Sequence, residues 1–437
     1  MNLPQILSLI LLVVILVLAV WRHVNIGLLG FSAAAIMVMA TTVIAEGSDT
    51  NTVLSSKDVL GHFPGAIVTL LIGVSLLFAH LEKSGGLSWF TDQIYAKMGH
   101  RTNIVPWIGY FIGFAISTAG AFSTASITLL VPVIAALGRK HPRLFFICEM
   151  AAIIGANTGA LSPINPTGQV ILDAAKKAHV EYSPWLVWFL GMLISFVLVI
   201  ALQIVFQDKR VVETSDSKAP EKGFVLLKPI KQENGDNHQL QPFYAICSTI
   251  AVLIFLILVI FAKANVGLTA LTLAVIMMLF FTQQSKDFVK KIPWNAVVVI
   301  SGLLVFIGTM MQVDTMKAVE QGLLSMTSSK IALLFMLAYL TTFLSNVESS
   351  TLGVISLMIP MVFTIFGDSP QISLILTACA APAMLSVVNP IHIAGTLVVS
   401  VTEEKQQEMM FKRLLIIAFA TVPFFPGLAM IVPALMM

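Results

Sequence analysis

Polar side chains and two prolines interrupt a long hydrophobic run at residues 157–168. Proline removes a backbone N–H and ends an α-helix, so we expect a membrane helix to break at this point. The ends of the two half-helices would then expose N–H groups on one side and C=O groups on the other, and these suit an anion and a small cation. The chemistry that this stretch predicts is ligand binding rather than bond cleavage.

The block Leu-Ser-Pro-Ile-Asn-Pro at residues 161–166 returns as Leu-Ser-Val-Val-Asn-Pro at residues 385–390. Paired broken helices of this kind are typical of transporters. Further matches support a duplication: 25–28 with 265–268, 63–64 with 292–293, and 131–132 with 359–360. We therefore interpret residues 1–207 and 242–437 as two copies of one unit, joined by a cytoplasmic linker at 208–241.

The composition excludes a water-soluble domain. The chain has 437 residues, of which 57% are hydrophobic and 11% charged, and its mean hydropathy is +0.93. These values predict a polytopic membrane protein. No basic, aromatic-rich patch suggests nucleic acid. No His-Glu-x-x-His, Walker loop, Cys-x-x-Cys or usefully spaced carboxylate pair indicates an enzyme, a cofactor or transport driven by ATP binding within this chain.

The fold class that we predict is all-α, with about ten transmembrane helices and two re-entrant hairpins. In the first copy we expect scaffold helices within 5–81 (5–22, 26–45, 64–81), an interfacial stretch at 82–102, a hairpin at 103–138, a broken helix at 144–173 and a last helix at 184–206. In the second copy we expect scaffold helices within 243–311 (243–262, 266–283, 294–311), a hairpin at 330–366, a broken helix at 371–399 and a last helix at 414–435.

Each copy crosses the membrane five times, so the two copies must insert with opposite orientation. With the N-terminus outside, 19 of the 25 Lys and Arg residues lie on the cytoplasmic side. This bias favours that orientation. We expect a multi-pass protein of a bacterial inner membrane with both termini outside.

The hairpin tips carry a second set of polar side chains, and inversion would bring both tips near the two breaks. No Lys or Arg occurs there, so dipoles and neutral donors would have to hold an anion. A single Ser or Thr in such a helix more often bonds its own backbone. Glu348 either binds Na⁺ or a proton, or lies in an aqueous vestibule, and His392 either bonds substrate or is packed as a neutral side chain. We expect Glu149, two turns into its helix, to face cytoplasmic water.

These features resemble the ion transporter superfamily, which includes the divalent anion/sodium symporters. The first half resembles the MatC-type malonate/dicarboxylate carriers at 25–27, 63–64, 73–79, 117–121 and 162–164. The resemblance implies an elevator transporter, usually a homodimer, with a scaffold domain made of helices 1–3 of each copy and a transport domain made of the hairpins, broken helices and last helices. The family's Ser-Asn-Thr tips read Ser-Thr-Ala at 117–119 and Ser-Asn-Val at 345–347 here.

With that resemblance the candidate residues divide by role. The substrate contacts are Ser117, Thr118, Ser162, Pro163, Asn346, Ser349, Ser386 and His392. The cation contacts are Asn157, Asn165, Ser345, Glu348 and Asn389, with Na⁺ at Asn165 and Asn389.

The function that we predict is secondary active transport of small carboxylates such as malonate, succinate or malate, coupled to Na⁺ or H⁺. The partners are then the carboxylate, membrane lipid and a second copy of the chain, without nucleic acid, and Na⁺ is the one inorganic ion expected. The alternative within the superfamily is a cation/proton antiporter or metalloid exporter that uses Glu348. An intramembrane enzyme or lipid-handling protein would need a catalytic pair, and the sequence offers none.

Overall fold

The computed structural model describes residues 1–22, 24–46, 53–86, 105–140, 142–206, 241–327, 329–347, 351–385, 388–390, 392–402 and 404–436. Regular structure in these ranges is helical, and they contain no β-strand. The prediction of an all-helical membrane protein is confirmed at this level. The interfacial stretch predicted at 82–102 falls mostly outside the described ranges.

The first half contains nine α-helices in its described part: α1 (Leu3–Arg22), α2 (Ile26–Glu46), α3 (Ser56–Gly61), α4 (Gly65–Lys83), α5 (Val105–Thr118), α6 (Ser123–Lys140), α7 (Pro142–Gly159), α8 (Pro166–Lys177) and α9 (Pro184–Phe206). We call α5 and α6 the first hairpin, and residues 160–165 between α7 and α8 the first break.

The second half follows with α10 (Pro242–Ile260), α11 (Val266–Phe280), α12 (Thr282–Ser285), a 3-10 turn (Phe288–Lys291), α13 (Trp294–Gln312), α14 (Thr315–Met326), α15 (Lys330–Val347), α16 (Thr351–Phe366), α17 (Ile372–Leu385), α18 (Ile393–Val401) and α19 (Glu404–Met436). We call α15 and α16 the second hairpin, and residues 386–392 the second break. Helices α3 and α14 were not predicted, and α19 begins ten residues before the predicted start at 414.

Six of the described helical segments are long and apolar enough to cross a membrane, judged by length and composition. A bilayer core about 30 Å thick requires about 20 residues of α-helix. The hairpin arms and the two parts of each broken helix are shorter than this. The shortest are α8, with 12 residues, and α18, with nine. Their lengths agree with segments that end inside the membrane.

Helices of the two halves contact each other reciprocally near glycines. Helix α2 packs against α13, and α4 packs against α11. A Cβ placed on Gly73 would lie 2.6 Å from the Gly267 carbonyl oxygen, and one placed on Gly302 would meet the Gly27 carbonyl. Gly27 and Gly73 of the first copy correspond to Gly267 and Gly302 of the second, so the two crossings exchange partners. Only residues without a Cβ permit backbones to approach so closely.

The hairpins and broken helices form the second packing region. The first hairpin packs against α7, and α15 packs against α17 and α19. The halves interlock here as well, because α8 contacts α16 and α18 contacts α6. Each half therefore places the later part of its broken helix against the second arm of the other half's hairpin.

Candidate functional site

The first break is set by a proline and by the side chain that precedes it. Asn165 is the N-cap of α8, where its Oδ1 accepts a hydrogen bond from the Thr167 N–H at 3.0 Å, and Pro166 occupies the first position of the helix. This is the usual chemistry of a helix start, since proline has no N–H to leave unpaired there. The helix break predicted from residues 157–168 is therefore present at 160–165.

Two side chains of the first break bind the tip of the first hairpin. The Asn165 Nδ2 donates to the carbonyl oxygens of Ser117 and Ala121, both at 2.8 Å, and the Ser162 Oγ donates to the Thr118 carbonyl oxygen at 3.0 Å. Ser162 and Asn165 are fully buried. The last carbonyls of a helix have no partner within that helix. The break supplies those partners, so hairpin tip and break form one hydrogen-bonded unit.

Glycine and tryptophan complete the first tip. Gly120 has φ of +115°, a left-handed conformation that glycine adopts without steric cost, and it turns the chain between α5 and α6. The Trp188 Nε1 of α9 donates to the Thr118 Oγ1 at 3.1 Å, and the Trp188 ring stacks on Phe114. Sequence reasoning missed Trp188, because nothing in the sequence indicates that α9 lies beside the tip.

The second break repeats this arrangement with different residue types. The Asn389 Nδ2 donates to the Asn346 carbonyl oxygen at 2.6 Å, and the His392 Nε2 donates to the Ser345 carbonyl oxygen at 2.6 Å. His392 is the N-cap of α18, as Asn165 is of α8. Because a carbonyl can only accept, His392 carries its proton on Nε2.

The structural correspondence differs from the sequence match by three residues. The repeated motif aligns Asn165 with Asn389, but the contacts pair Ser162 with Asn389 and Asn165 with His392. The sequence repeat predicts that Asn165 and Asn389 are equivalent residues, and these contacts correct that pairing. The reason is that α18 begins three residues later in its motif than α8 does, so the residue at the N-cap position is Asn165 in the first half and His392 in the second.

Glycines one turn into the second half-helices agree with this correspondence. A Cβ on Gly168 would overlap the Ser162 carbonyl, and a Cβ on Gly395 would overlap the Asn389 carbonyl. In both breaks the following helix folds back against the peptide six residues earlier. The close approach requires glycine in each case.

Among the described residues, three buried polar atoms near the tips and breaks have no hydrogen-bond partner: Ser345 Oγ, Asn346 Oδ1 and Asn157 Nδ2. The Asn346 amide is oriented by its Nδ2, which donates to the Thr342 carbonyl at 3.1 Å, so its oxygen is the free atom. Buried polar groups in proteins are almost always paired, and an exception calls for an explanation. A ligand that donates a proton, or a cation, would satisfy both oxygens of the second tip.

The remaining predicted residues are placed less directly. Pro163 is half-buried, and its carbonyl accepts from the Gln169 amide. Ser117 is buried and shares a hydrogen bond of 3.0 Å with the Ser126 hydroxyl. The predictions for Glu348, Ser349 and Ser386 fall outside the described residues.

The predicted Na⁺ site at Asn165 finds its side chain already in use. The Asn165 oxygen accepts from Thr167, and its nitrogen donates to two carbonyls. A sodium ion needs oxygen ligands, and here Asn165 could contribute only through the second lone pair of its Oδ1. In this conformation the Asn165 side chain holds the tip of the first hairpin to the first break.

Residues of the second break pack against the first half. Val388 of the second break clusters with Ile112 and Ile127 of the first hairpin, and Leu385, the last residue of α17, clusters with Phe114 and Ile154. The two breaks are thus enclosed by helices from both copies.

Glu149 contradicts the expectation that it faces water. It is fully buried in α7, and neither carboxylate oxygen has a hydrogen-bond partner in the part of the chain that the structure describes. The prediction was wrong because Val398 of α18 and Met410 of α19 pack into the same cluster as Phe146 and Met150 beside Glu149. Packing by the second half over this helix cannot be seen in the sequence of the first.

A cavity of about 350 Å³ lies beyond the C-terminal end of α8. It opens between the loop after α8, the α13–α14 junction and the end of α16, and it is lined by His179, Glu181, Asp314, Lys317 and Asp368 among others. Lys317 forms an ion pair of 2.8 Å with Asp314, which raises the pKa of Lys317. The length of α8 separates this cavity from the first break by roughly 18 Å at 1.5 Å per residue.

Comparison with known proteins agrees with the membrane transporter architecture. The chain is similar in structure to the YdaH transporter of Alcanivorax borkumensis, whose crystal structure is described as revealing an unusual topology. The TM-score is 0.54 and the sequence identity 13%, over 98% of this chain and 97% of that one. Identity this low supports the fold alone. A search of curated proteins finds no match.

The family comparison is more specific. A profile of the family described as "CitMHS: Citrate transporter" matches residues 13–365, which is well over half of the chain. The predicted kinship with ion transporters of the divalent anion symporter type is confirmed at this level, and the narrower MatC-type resemblance stays a prediction. The chain is a multi-pass membrane transporter that belongs to the citrate transporter family.

Proposed function

We propose that the protein is a secondary active transporter of small di- and tricarboxylates, with citrate, malonate, succinate and malate as the first candidates, coupled to Na⁺ or H⁺. Family membership supports the carboxylate class. The coupling ion is argued from the geometry of the two tips.

The observation that carries the proposal is the pair of unpartnered oxygens at the second tip. Ser345 Oγ and Asn346 Oδ1 are fully buried, have no hydrogen-bond partner within the described ranges, and belong to adjacent residues. The Asn346 Oδ1 can only accept, so it repels a carboxylate oxygen and attracts a cation, and the Ser345 hydroxyl can offer a lone pair to the same cation. We therefore assign Asn346 to the cation, together with Ser345, rather than to the substrate as its residue type suggested.

The anion half of the site is formed by helix N-termini. Helices α8 and α18 begin at the breaks, and the N–H groups of their first turns carry the positive end of the helix dipole, although in α8 Pro166 has none and that of Thr167 is bound by Asn165. The described parts of both tips and both breaks contain no Lys or Arg. A carboxylate would be held by backbone N–H groups and by a cation bound at the same time, which would couple the two solutes.

The transport step that we propose is an elevator movement of an inverted-repeat protein. Reciprocal crossings of α2 with α13 and α4 with α11 support a scaffold made of both copies. The hydrogen bonds between tips and breaks support a transport domain that moves as a unit. We further propose a bacterial inner membrane protein with both termini outside, an orientation that the charge bias supports. The homodimer that we propose rests on the family resemblance.

The test is a matrix of thermal unfolding measurements on detergent-purified protein. Citrate, malonate, succinate, malate and a monocarboxylate are each added in Na⁺ or in K⁺, at two pH values. A ligand present at 100 times its Kd stabilises the folded state by about 2.7 kcal/mol. We expect stabilisation by one or more di- or tricarboxylates, larger in the presence of the coupling cation.

Two matched variants locate the cation. Ser345→Ala removes an oxygen that has no partner, and its backbone carbonyl still accepts from His392. Ser301→Ala removes another buried, unpaired hydroxyl, in α13 away from the tips. We expect Ser345→Ala to fold normally and lose the cation-dependent part of the stabilisation, and Ser301→Ala to keep it. Equal ligand responses in the two variants would refute the cation site. The absence of any response to a carboxylate in wild type would refute the proposed function.

A further inference from the structure

Glu149 is a carboxylic acid that the proposed binding of substrate does not use. It lies seven residues after Pro142, about 10 Å along α7 at 1.5 Å per residue, with the first break beyond the far end of the helix. It is fully buried, and both of its oxygens are unpaired within the described part of the protein. An ionisable group inside a membrane domain is costly and marks a functional pathway more often than a structural one.

The elements around α7 bring few charges to Glu149. Helices α9 and α18 contain no titratable residue. Tyr110 of α5 is bonded to Ser195, Cys379 of α17 is a buried thiol, and Cys148 precedes Glu149 on its own helix. None of these groups is a cation that could pair with an ionised carboxylate.

The described cationic side chains nearest in the fold contact groups other than Glu149. The Arg413 guanidinium of α19 lies over the Phe146 ring, 5.1 Å from its centroid and one helical turn before Glu149. Lys412 pairs with Glu408 on the exposed side of α19. Arg139 and Lys140 end α6, and their side chains are outside the described part. Among described residues no ion pair includes Glu149.

A buried carboxylate without a partner is stable only in its neutral, protonated form. Ionisation would require water or a cation to reach it, and that requires α7 to change its surroundings. Asn157, eight residues on, is the next polar side chain towards the break, and its Nδ2 is also unpaired. Helix α7 thus carries a proton-binding group, Glu149, and an unpaired hydrogen-bond donor, Asn157, which lies between Glu149 and the first break.

We propose that Glu149 is the proton-binding site of the transport cycle, loaded with one proton in the conformation described here and ionised when movement of the transport domain exposes α7 to water. This inference rests on the proposed function, since it names the residue that would couple carboxylate transport to H⁺. The reaction is reversible protonation of one carboxylate, with water as the source and acceptor of the proton. It goes beyond the tips and breaks, because among the described residues Glu149 makes no hydrogen bond to either.

The test uses the full-length protein in proteoliposomes with the membrane potential held at zero. A pH gradient of one unit supports about a tenfold accumulation ratio per co-transported proton. We expect about tenfold accumulation of the preferred carboxylate by wild type, and an accumulation ratio of about one for Glu149→Gln. Counterflow exchange of that carboxylate at equal pH needs no net proton movement, so Glu149→Gln should retain it. Glu408→Gln, which changes an exposed carboxylate, should behave as wild type.

The outcomes separate this inference from the proposed function. Accumulation by Glu149→Gln that follows the pH gradient as wild type does overturns the inference, and wild-type uptake driven by a Na⁺ gradient alone overturns it while the proposed function stands. Absence of carboxylate binding and uptake in wild type overturns both. Infrared spectra give a reading that does not depend on transport or on Glu149→Gln folding. A protonated carboxyl band at neutral pH that moves in Glu149→Asp supports the assignment, and a spectrum without such a band contradicts it.

Discussion

The break geometry makes a sharp prediction at Gly168. A Cβ added there would overlap the Ser162 carbonyl oxygen, and would lie 2.7 Å from the Ser162 carbonyl carbon and 3.0 Å from the Leu161 carbonyl oxygen. All three atoms belong to the backbone of the break, so no side-chain rotation can relieve the overlap. Overpacking costs about 1–3 kcal/mol, and we expect Gly168→Ala to reach the upper end because backbone must move.

A matched pair of alanine substitutions provides the comparison. Gly395→Ala brings a Cβ to 2.6 Å from the Asn389 carbonyl carbon in the second break, and we expect a similar loss. Gly322 lies exposed in α14 with nothing within 4 Å of its Cβ position. Gly322→Ala should therefore raise the stability by up to about 1 kcal/mol, because alanine favours helix.

The assay is thermal unfolding of the three variants and wild type in one detergent, with and without a stabilising carboxylate. We expect Gly168→Ala and Gly395→Ala to unfold at lower temperature, Gly322→Ala at equal or higher temperature, and the ligand response to fall in the first two alone. If the unfolding temperature of Gly168→Ala is close to that of Gly322→Ala rather than to that of Gly395→Ala, the close packing at the first break is refuted.

Four further substitutions test the first tip. Asn165→Ala leaves two buried carbonyls and an N-terminal N–H unpaired, so we expect a loss of about 2–5 kcal/mol by thermal or denaturant unfolding, against about 1 kcal/mol for Ser162→Ala. Trp188→Phe keeps the ring contact but loses the donor to Thr118, and should lower substrate affinity in a binding titration with an unfolding temperature close to wild type. Gly120→Ala meets no atom closer than 3.6 Å, so its cost, about 1 kcal/mol in unfolding measurements, should come from the left-handed backbone alone.

Features governed by local sequence could be predicted well. Long apolar runs require helices in a membrane, and the prolines at 163 and 166 end α7 and begin α8 where expected. Helix α9 covers the predicted 184–206, since Pro184 starts it and the apolar run fixes its length.

Features governed by packing could not be predicted. Asn165 and Asn389 sit in matching motifs, but which of them caps a helix depends on the turn that follows, and His392 takes that place in the second half. Glu149 looked accessible because its position along α7 is near a cytoplasmic end, and only the fold shows which helices cover it. Helix α14 has an amphipathic sequence too short to give a strong signal.

The glycine crossings limit where any sliding surface can be. At the contacts of Gly27 with Gly302 and of Gly73 with Gly267 there is no side chain between the backbones to deform or repack. Displacing either helix along its partner would drive main-chain atoms into one another before any new contact formed. In the proposed elevator movement the crossed helices would therefore be a fixed frame, and relative displacement would occur where bulky side chains such as Met316 and Phe363 line the cavity beside α14.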